Sequence, residues 1–377
     1  MFNYHKVERL NIPQWEAVYR AELVPGVISF IAIHDTSRGC ALGGCRMANY
    51  NDESLALTDV LRLSRGMTYK NTVSDLPLGG GKSVIICDPT VVGKSRENIF
   101  KEFGKFVAWI NRDENLYSAA EDMNTTVDDM KIVNNYTSNI FGTKIDPSPY
   151  TAYGVYYAIE YVVDYFSLDL FHGERTLEGK RILLQGVGKV GLILLGLLID
   201  AGMEVYVNDI IKDRVRSTKK KYSNIKVVCQ KDLFNIDVDI FSPAARGEII
   251  TQQNVDNCKF KILCGPANNQ LQNHEAGELL HKSGIIYCPD YVVNMGGVCS
   301  IKYLEIDGLS TEVTLKKIKQ TVRKMLALTF RTAIRKNLSF NIAVDHAVRK
   351  ILRKTHADHR EVSNSKIFPL TSASLFS

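Results

Sequence analysis

The chain has 377 residues, of which 45% are hydrophobic and 23% are charged, as in ordinary globular proteins. Its length predicts about two domains. The formal net charge of +6 is mild, and much of it lies in residues 331–360, so it does not indicate a nucleic-acid partner. Residues 1–16 lack the apolar core of a signal peptide, and the most apolar stretch, 187–199, is too short to span a bilayer. We therefore expect a cytoplasmic protein without a membrane partner.

The eight cysteines are scattered along the chain without a Cys-x-x-Cys pair. Several of them lie in apolar runs, which favours reduced thiols in a cytosolic protein over disulfide bonds. The histidines do not show the spacing of zinc ligands beside the cysteines, so we expect no metal site.

The N-terminal third is predicted to mix short β-strands with helices. A serine at position 95 is a candidate N-cap, because its hydroxyl can accept a hydrogen bond from the first helical turn. The predicted elements are a strand at 26–33, a glycine-containing turn or strand end at 41–46, a helix at 53–69, a strand at 84–87, a helix capped by Ser95, a strand at 116–119 and a helix from about Thr125.

Pro147 and Pro149 mark a break, since proline interrupts both helices and sheet ladders. We place a hinge there, so that the first domain comprises residues 1–148 and the second residues 149–339. In the second domain strands alternate with helices, which indicates a parallel, doubly wound sheet. Residues 181–209 are predicted to form a strand, a glycine turn, a helix and a second strand at 204–207, and later strands are predicted at 226–229, 240–242, 262–264 and 285–287.

One helix is predicted before these strands, at about 151–165, and two are predicted after them, at 311 to about 328 and at about 342–353. The last of them, within residues 340–355, is expected to rejoin the first domain. The polar tail 356–377 has no clear periodicity, and we expect it to be largely disordered.

The stretch from Arg65 to Asp88 places two lysines, Lys70 and Lys82, about twelve positions apart. Lys82 follows a glycine triplet and precedes the buried strand at 84–87, so partial burial is expected to lower its pKa and make it a usable acid or base. The alternative is a solvated loop lysine beside a turn.

A dinucleotide-binding motif follows the first strand of the second domain. Gly186, Gly188 and Gly191 fit Gly-x-Gly-x-x-Gly between an apolar strand and an apolar helix. The first glycine permits a tight turn, the second admits a pyrophosphate, and the third lets the helix pack closely on the strand. The amide groups at the start of the helix then face the phosphates. The alternative is the tight turn of a Rossmann unit that binds no nucleotide.

Asp209 lies about twenty residues beyond these glycines, at the end of the next strand, where a carboxylate accepts hydrogen bonds from a ribose. It would repel a 2′-phosphate, so we expect NAD rather than NADP. Two nearby cations, Lys189 and Lys212, weaken that preference. The cofactor-binding residues predicted in this part of the chain are Gly186, Val187, Gly188, Lys189, Val190, Gly191, Asp209 and Ile210.

Several motifs occur together in a characteristic order. They are LGGCRM at 42–47, GMTYKN at 66–71, LGGGK at 78–82, AED at 120–122, PSPYTAYG at 147–154, ANNQL at 267–271 and PDYVVNMGGV at 289–298. With these motifs the sequence resembles the leucine/phenylalanine/valine dehydrogenase branch of the amino-acid dehydrogenases over roughly residues 28–345. Near the expected pocket it departs from the pattern of that family at Pro266 and Met295.

The resemblance implies a two-domain α/β fold. An N-terminal mixed-sheet domain would bind substrate and form a homo-oligomer, a Rossmann-type doubly wound domain would bind NAD, and a cleft would lie between them. The implied reaction is the reversible oxidative deamination of an L-amino acid to a 2-oxo acid and ammonia. By the same resemblance, Lys70 would bind the substrate carboxylate, Lys82 would activate water, and Asp122 would exchange protons with the amine. The alternative for Asp122 is a helix N-cap before Thr125.

The remaining implied site residues fall into three groups. Gly43, Gly44 and Arg46 would border the carboxylate end. An apolar pocket would suit aliphatic or aromatic side chains and exclude glutamate, whose carboxylate would be buried unpaired. The pocket would be lined by Leu42, Ala120, Val298 and Ile301; Thr151, Ala244, Ala267 and Asn268 would contact the cofactor; Asn268 and Asn294 would also line the substrate site.

We expect a branched-chain substrate such as leucine. An aromatic substrate, phenylalanine or tryptophan, is the alternative, because an apolar pocket separates methylene differences by only ~1–3 kcal/mol. The sequence is also compatible with a relative that binds nucleotide or amino acid without turnover, and with a biosynthetic relative that couples a 2-oxo acid to another metabolite.

Overall fold

The computed structural model describes residues 7–245 and 247–365. Their strands form two six-stranded sheets, one on each side of a cleft. Among these residues, no helix combines the length and the apolar composition that crossing a bilayer requires.

The first sheet is mixed, with strand order β1-β2-β3-β5-β4-β6. The first three strands and β5 pair antiparallel, whereas β4 pairs parallel with both β5 and β6. One helix covers one face of the sheet and two cover the other, because each strand alternates apolar side chains between the faces. The elements are β1 (Val7–Leu10), β2 (Ala17–Val24), β3 (Val27–Asp35), β4 (Ala41–Ala48), α1 (Glu53–Val73), β5 (Gly79–Ile86), α2 (Gly93–Ile110), β6 (Tyr117–Glu121) and α3 (Val127–Asn134).

The glycines of this sheet lie inside strands and not in turns, which corrects two predictions. Residues 41–46 belong to the strand β4, and the glycine triplet is the beginning of β5, so Lys82 lies within a strand and not at its mouth. A Cβ atom on Gly80 would lie 2.1 Å from the Thr68 nitrogen, and one on Gly43 would lie 1.7 Å from the Gly81 oxygen. These glycines therefore allow α1 and the neighbouring strand to pack against the backbone.

Two helix starts also differ from the prediction. The helix α2 begins at Gly93 with Val92 as its N-cap, so the assignment of Ser95 as the cap is wrong. The helix α3 begins two residues after Thr125. Thr126 and Asp129 form a reciprocal capping box there, which satisfies the amide groups of the first turn.

The second sheet is entirely parallel, with strand order β12-β11-β10-β7-β8-β9, as the alternation of strands and helices predicts. Parallel strands place their carboxyl ends at one edge, and that edge faces the cleft. The elements are α4 (Ser148–Tyr165), α5 (Ser167–Leu170), β7 (Arg181–Gln185), α6 (Lys189–Asp200), β8 (Glu204–Asn208), α7 (Lys212–Lys221), β9 (Lys226–Val227), β10 (Ile240–Pro243), β11 (Ile262–Leu263), α8 (His274–Lys282), β12 (Ile286–Tyr287), α9 (Asp290–Val293) and α10 (Gly296–Ser300).

The C-terminal part is more helical than predicted. A π-helix (Ile301–Ile306) follows α10, and α11 (Thr311–Lys336) ends at Asn337 in the left-handed conformation. The helix α12 (Phe340–Ser365) continues into the segment expected to be disordered, because no glycine or proline interrupts its sequence. The remainder of that tail, 366–377, lies outside the described residues.

The helix α12 also contacts the first sheet's elements. His356 Nε2 lies 3.0 Å from Asp35 Oδ2, and Arg349 Nε lies 3.4 Å from the hydroxyl of Tyr69. These contacts connect the C-terminal helix to the N-terminal part of the chain. The division into domains at residue 148, and the return of this helix to the first domain, stay predictions.

Candidate active site

A cavity of about 390 Å³ lies in the cleft between the two sheets. Most of the residues predicted for the site line it, although they come from distant parts of the chain. They are Leu42, Gly43, Gly44, Lys70, Lys82, Ala120, Asp122, Thr151, Val190, Ala244, Ala267, Asn268, Asn294, Val298 and Ile301.

An ion pair between Lys82 and Asp122 lies on the first-sheet side of this cavity. The lysine Nζ is 2.9 Å from Asp122 Oδ2, and Lys82 is only 5% exposed. Lys82 lies on β5 and Asp122 directly follows β6, and β4 separates these two strands. Gly44 on β4 lies directly between them, because a Cβ atom there would be 2.7 Å from Asp122 Cβ and 3.3 Å from the lysine Nζ. The pair therefore depends on a glycine at this position.

A Gly44→Ala substitution is expected to displace Asp122 and to lower kcat by at least about 100-fold. The reason is that misplacing a reacting group by about 1 Å lowers the rate by about that factor. The control is Gly66→Ala on α1, where an added Cβ would meet nothing within 4 Å. That change should leave kcat unchanged and raise the free energy of unfolding by up to about 1 kcal/mol. Wild-type activity of the Gly44 variant would contradict the role assigned to this glycine.

Arg46 stands behind the ion pair and not at the carboxylate end of the cavity, where it was expected. Its Nε lies 3.2 Å from Asp122 Oδ2, and its Nη1 lies 2.9 Å from Asp59 Oδ2. Burial alone would raise the pKa of Asp122, but the charges of Lys82 and Arg46 outweigh it and lower the pKa to about 2. Asp122 is therefore ionised in the free protein. It does not cap α3, because Thr126 does.

Lys70 approaches the cavity from the last turn of α1. Burial lowers the pKa of its ammonium group, the nearby Asp290 opposes that shift, and the positive charge of Lys82 adds to it. An anionic group bound beside Lys70 would therefore stabilise the charged form of this lysine. The sequence prediction that the two lysines and Asp122 face one site agrees with this arrangement.

Asn268 and Asn294 border the second-sheet side of the cavity. The Asn294 Nδ2 group donates to Asn268 Oδ1 at 2.7 Å and to the Pro266 oxygen at 3.1 Å. The first of these bonds occupies the oxygen of Asn268, so the amide nitrogen of Asn268 is left to donate to a ligand. Thr151 also lines the cavity, and its hydroxyl donates to the Pro147 oxygen at 3.1 Å.

The glycine turn lies farther along the cleft, where it follows β7 as predicted. Gly186 has φ +101°, and a Cβ on Gly191 would lie 2.1 Å from the Gly186 oxygen, so both positions require glycine. Gly188 faces open space, since an added Cβ there would meet nothing within 4 Å. The turn thus leaves room for a phosphate group beside the first amides of α6.

Asp209 is attached to that turn by its side chain. One carboxylate oxygen accepts from the Val187 amide at 2.9 Å, the other accepts from the Ile211 amide at 2.8 Å, and Arg214 lies 4.0 Å away. The aspartate therefore holds the glycine turn against the end of β8. Ile210 beside it is 83% exposed. The predicted residues that do not line the 390 Å³ cavity are Arg46, Gly186, Val187, Gly188, Lys189, Gly191, Asp209 and Ile210.

Several cavity residues were missed by the sequence prediction. Met67 lies three residues before Lys70, on the same helix face, so helical periodicity could have identified it. Of the two departures from the family pattern, Pro266 lines the cavity, whereas Met295 is fully buried elsewhere in the core. The missed lining residues are Met67, Glu121, Pro147, Ala245 and Gly297.

Comparison with known proteins gives matches to one family of enzymes. Residues 20–139 match the family model "Glu/Leu/Phe/Val dehydrogenase, dimerisation domain", and residues 206–356 match "Glutamate/Leucine/Phenylalanine/Valine dehydrogenase". The chain is 41% identical to leucine dehydrogenase of Geobacillus stearothermophilus over 326 residues, which cover 85% of each protein. It is 37% identical to phenylalanine dehydrogenase of Lysinibacillus sphaericus over 329 residues, 85% of this chain and 84% of that protein.

A solved structure shows the same architecture. The structure of L-tryptophan dehydrogenase from Nostoc punctiforme matches with a TM-score of 0.78 at 31% identity, over 91% of this chain and 97% of that chain. This match confirms the predicted fold of a mixed-sheet domain beside a Rossmann-type domain.

The fold and these matches define an oxidoreductase that acts on CH–NH₂ groups. The chain belongs to the Glu/Leu/Phe/Val dehydrogenase family of amino-acid dehydrogenases, which confirms the resemblance drawn from the motifs. Its parallel-sheet domain is the nucleotide-binding domain of an NAD(P)-dependent enzyme.

Proposed function

We propose that the protein catalyses the NAD-dependent oxidative deamination of an apolar L-amino acid, with leucine or another branched-chain amino acid preferred. The products are the 2-oxo acid, ammonia and NADH, and the reaction is reversible. The strongest support is the Lys82–Asp122 pair, which shares one cavity with Lys70 and with apolar side chains from both sides of the cleft.

The residues of the cavity suggest how an amino acid is oriented. Its carboxylate binds the Lys70 ammonium group, beside the backbone of Gly43 and Gly44. Its amino group lies near Asp122, and its Cα faces the side of the cleft formed by Thr151 and Asn268. In this orientation the substrate side chain points into the apolar part of the cavity.

Asp122 accepts a proton from the substrate ammonium group, which prepares the amine for oxidation. NAD would be held by the glycine turn together with Thr151 and Asn268, and it would accept the hydride of the substrate Cα, which would leave the substrate as an iminium. Lys82 gives a proton of its ammonium group to solvent and then takes a proton from the water that attacks the iminium carbon. Asp122 returns a proton to the nitrogen, the C–N bond breaks so that ammonia leaves, and the new carbonyl oxygen gives its remaining proton to solvent. Lys82 also stabilises the developing oxygen charge.

The side-chain pocket supports an aliphatic substrate. Leu42, Ala120, Val298 and Ile301 all line the cavity and all are apolar, so a side-chain carboxylate would be buried without a partner there. Leucine dehydrogenases are among the relatives at 37–41% identity. The structural match to a tryptophan dehydrogenase supports a second candidate, an aromatic amino acid.

The test is NADH formation at alkaline pH with a panel of L-amino acids. Branched-chain amino acids are expected to give the highest kcat/KM, and glutamate is expected to give no turnover. A higher kcat/KM for phenylalanine or tryptophan would favour the second candidate. Tight NAD binding without turnover of any apolar amino acid would contradict the proposed reaction.

NAD is proposed as the cofactor because Asp209 stands at the end of β8 with its charge beside the glycine turn. Asp209→Ala is expected to raise the KM for NAD and to lower the NAD-to-NADP ratio of kcat/KM by at least about tenfold, since like charges placed together cost several kcal/mol. Asp213→Ala, an exposed change on α7, is the control. An unchanged ratio in the Asp209 variant would contradict this assignment.

A homo-oligomer is proposed as the assembled form. Its support is the description of the family model matched by residues 20–139, which names a dimerisation domain. The first sheet and its helices are therefore the proposed contact region between subunits.

A further inference from the structure

A carboxylate from one side of the cleft binds a backbone loop on the other side. Glu305, on the π-helix, accepts hydrogen bonds from the amide of Gly142 at 3.1 Å to each oxygen and from the amide of Thr143 at 3.3 Å. Hydrogen bonds to an ionised acceptor are about twice as strong as neutral ones. Glu305 therefore restrains this loop against the opposite side of the cleft.

The same loop forms a wall beside the substrate side-chain pocket. The backbone amide of Phe141 donates to the Ala119 oxygen at 2.9 Å, so the loop is attached to β6 beside Ala120. A Cβ on Gly142 would lie 3.4 Å from Ile301 Cδ1 and 3.8 Å from Ala120 Cβ. Gly142 therefore lies between two side chains that line the cavity, and its φ of +76° favours glycine there.

The geometry of the π-helix explains how one element both lines the side-chain pocket and restrains the loop. Its hydrogen bonds run from residue i to i+5, so residues four apart stay on nearly the same face. Ile301 and Glu305 have this spacing. One face of the helix thus presents an apolar wall to the pocket and a carboxylate to the loop behind it.

We propose that Glu305 is a positioning residue that sets the far boundary of the side-chain pocket and thereby favours branched aliphatic substrates over aromatic ones. The proposal rests on the function proposed above. With the bonds from Glu305 in place, Gly142 stays against Ile301, and leucine can contact both. Without them the loop can move away, which weakens the packing around leucine and makes room for a ring.

The experiment compares kcat/KM for leucine and phenylalanine in the wild type, Glu305→Ala and Glu305→Gln. In the alanine variant the phenylalanine-to-leucine ratio is expected to rise about tenfold, the effect of one or two methylene contacts. The change should appear in KM more than in kcat, because Glu305 does not touch the reacting atoms. The glutamine variant should be intermediate, since its amide oxygen can still accept one of the bonds. Glu278→Ala, exposed on α8, is the control and should leave the ratio unchanged.

Two results would overturn the proposal. An unchanged ratio would show that Glu305 does not set the pocket boundary, and an equal fall in both kcat/KM values would show a purely structural role. Amide hydrogen exchange at Gly142 and Thr143 gives a readout that needs no turnover. Exchange there should be faster in Glu305→Ala than in the wild type, and equal rates would also refute the proposed restraint.

These outcomes can be distinguished from a failure of the proposed reaction itself. If the wild type oxidises neither leucine nor phenylalanine, the proposed function fails on the amino-acid panel alone. The hydrogen-exchange comparison then still decides whether Glu305 holds the loop.

Discussion

Replacing Lys82 with alanine is expected to lower kcat by roughly 10³-fold or more, because one side chain both accepts a proton and stabilises charge in the transition state. NAD binding should change by less than about twofold, since Lys82 lies on the first sheet, away from the glycine turn, and most of the affinity comes from the few residues that touch a ligand closely. The measurement is steady-state NADH formation with the preferred amino acid, together with NAD titration by fluorescence.

Two further variants separate the contributions of Lys82. Lys82→Arg keeps a positive charge but cannot deprotonate near neutral pH, so it should remain nearly as inactive as the alanine variant. Lys101→Ala, an exposed change on α2, is the matched control and should keep wild-type kcat. If Lys82→Arg retains full activity, Lys82 acts through its charge alone, and proton transfer must be assigned to another group.

Replacing Asp122 with asparagine is expected to lower kcat by roughly 10²–10⁴-fold, the usual contribution of a positioned proton-transfer group. The shape of the side chain is kept, so the loss would come from charge and proton exchange and not from a cavity. Asp128→Asn, a few residues away on α3 and highly exposed, is the control. The double variant with Lys82→Ala should be little worse than either single variant, because groups that act together are not additive.

The asparagine variant should also be less stable at neutral pH by about 1–3 kcal/mol, because the buried Lys82 ammonium group loses its partner. The pKa of Asp122 in the folded protein, about 2, lies below its ordinary value of 3.8, so the ionised carboxylate stabilises the fold above that value. This contribution is lost as the pH falls through about 2. The stability difference between the two proteins should therefore shrink between about pH 4 and pH 2. A difference that is constant over that range would contradict the ionised pair.

Much of the architecture follows from local patterns. The strands of the nucleotide-binding domain were predicted to within a few residues, because each buried strand is a short apolar run flanked by polar or glycine residues. The glycine turn was predicted correctly, since Gly186 and Gly191 have conformations or contacts that exclude other residues. The motifs of the family also identified most of the residues that line the cavity, including Lys70, Lys82 and Asp122.

Other features depend on contacts between distant segments, which local patterns do not report. The glycine triplet before Lys82 resembles a turn in sequence, yet it lies inside β5 because α1 and β4 press against its backbone. Arg46 was expected beside the substrate carboxylate, yet two aspartates from other elements, Asp59 and Asp122, hold it behind the ion pair.

The sequence by itself therefore determined the class of fold, the nucleotide turn and the set of chemical groups at the site, because each depends on residue type and short-range spacing. Only the tertiary structure decided how those groups are held. The positions of Gly44 between Lys82 and Asp122, and of Glu305 across the cleft from Gly142, depend on how strands and helices far apart in the chain pack together. Such pairings are fixed by packing and hydrogen bonding between elements, and no periodicity within a single element encodes them.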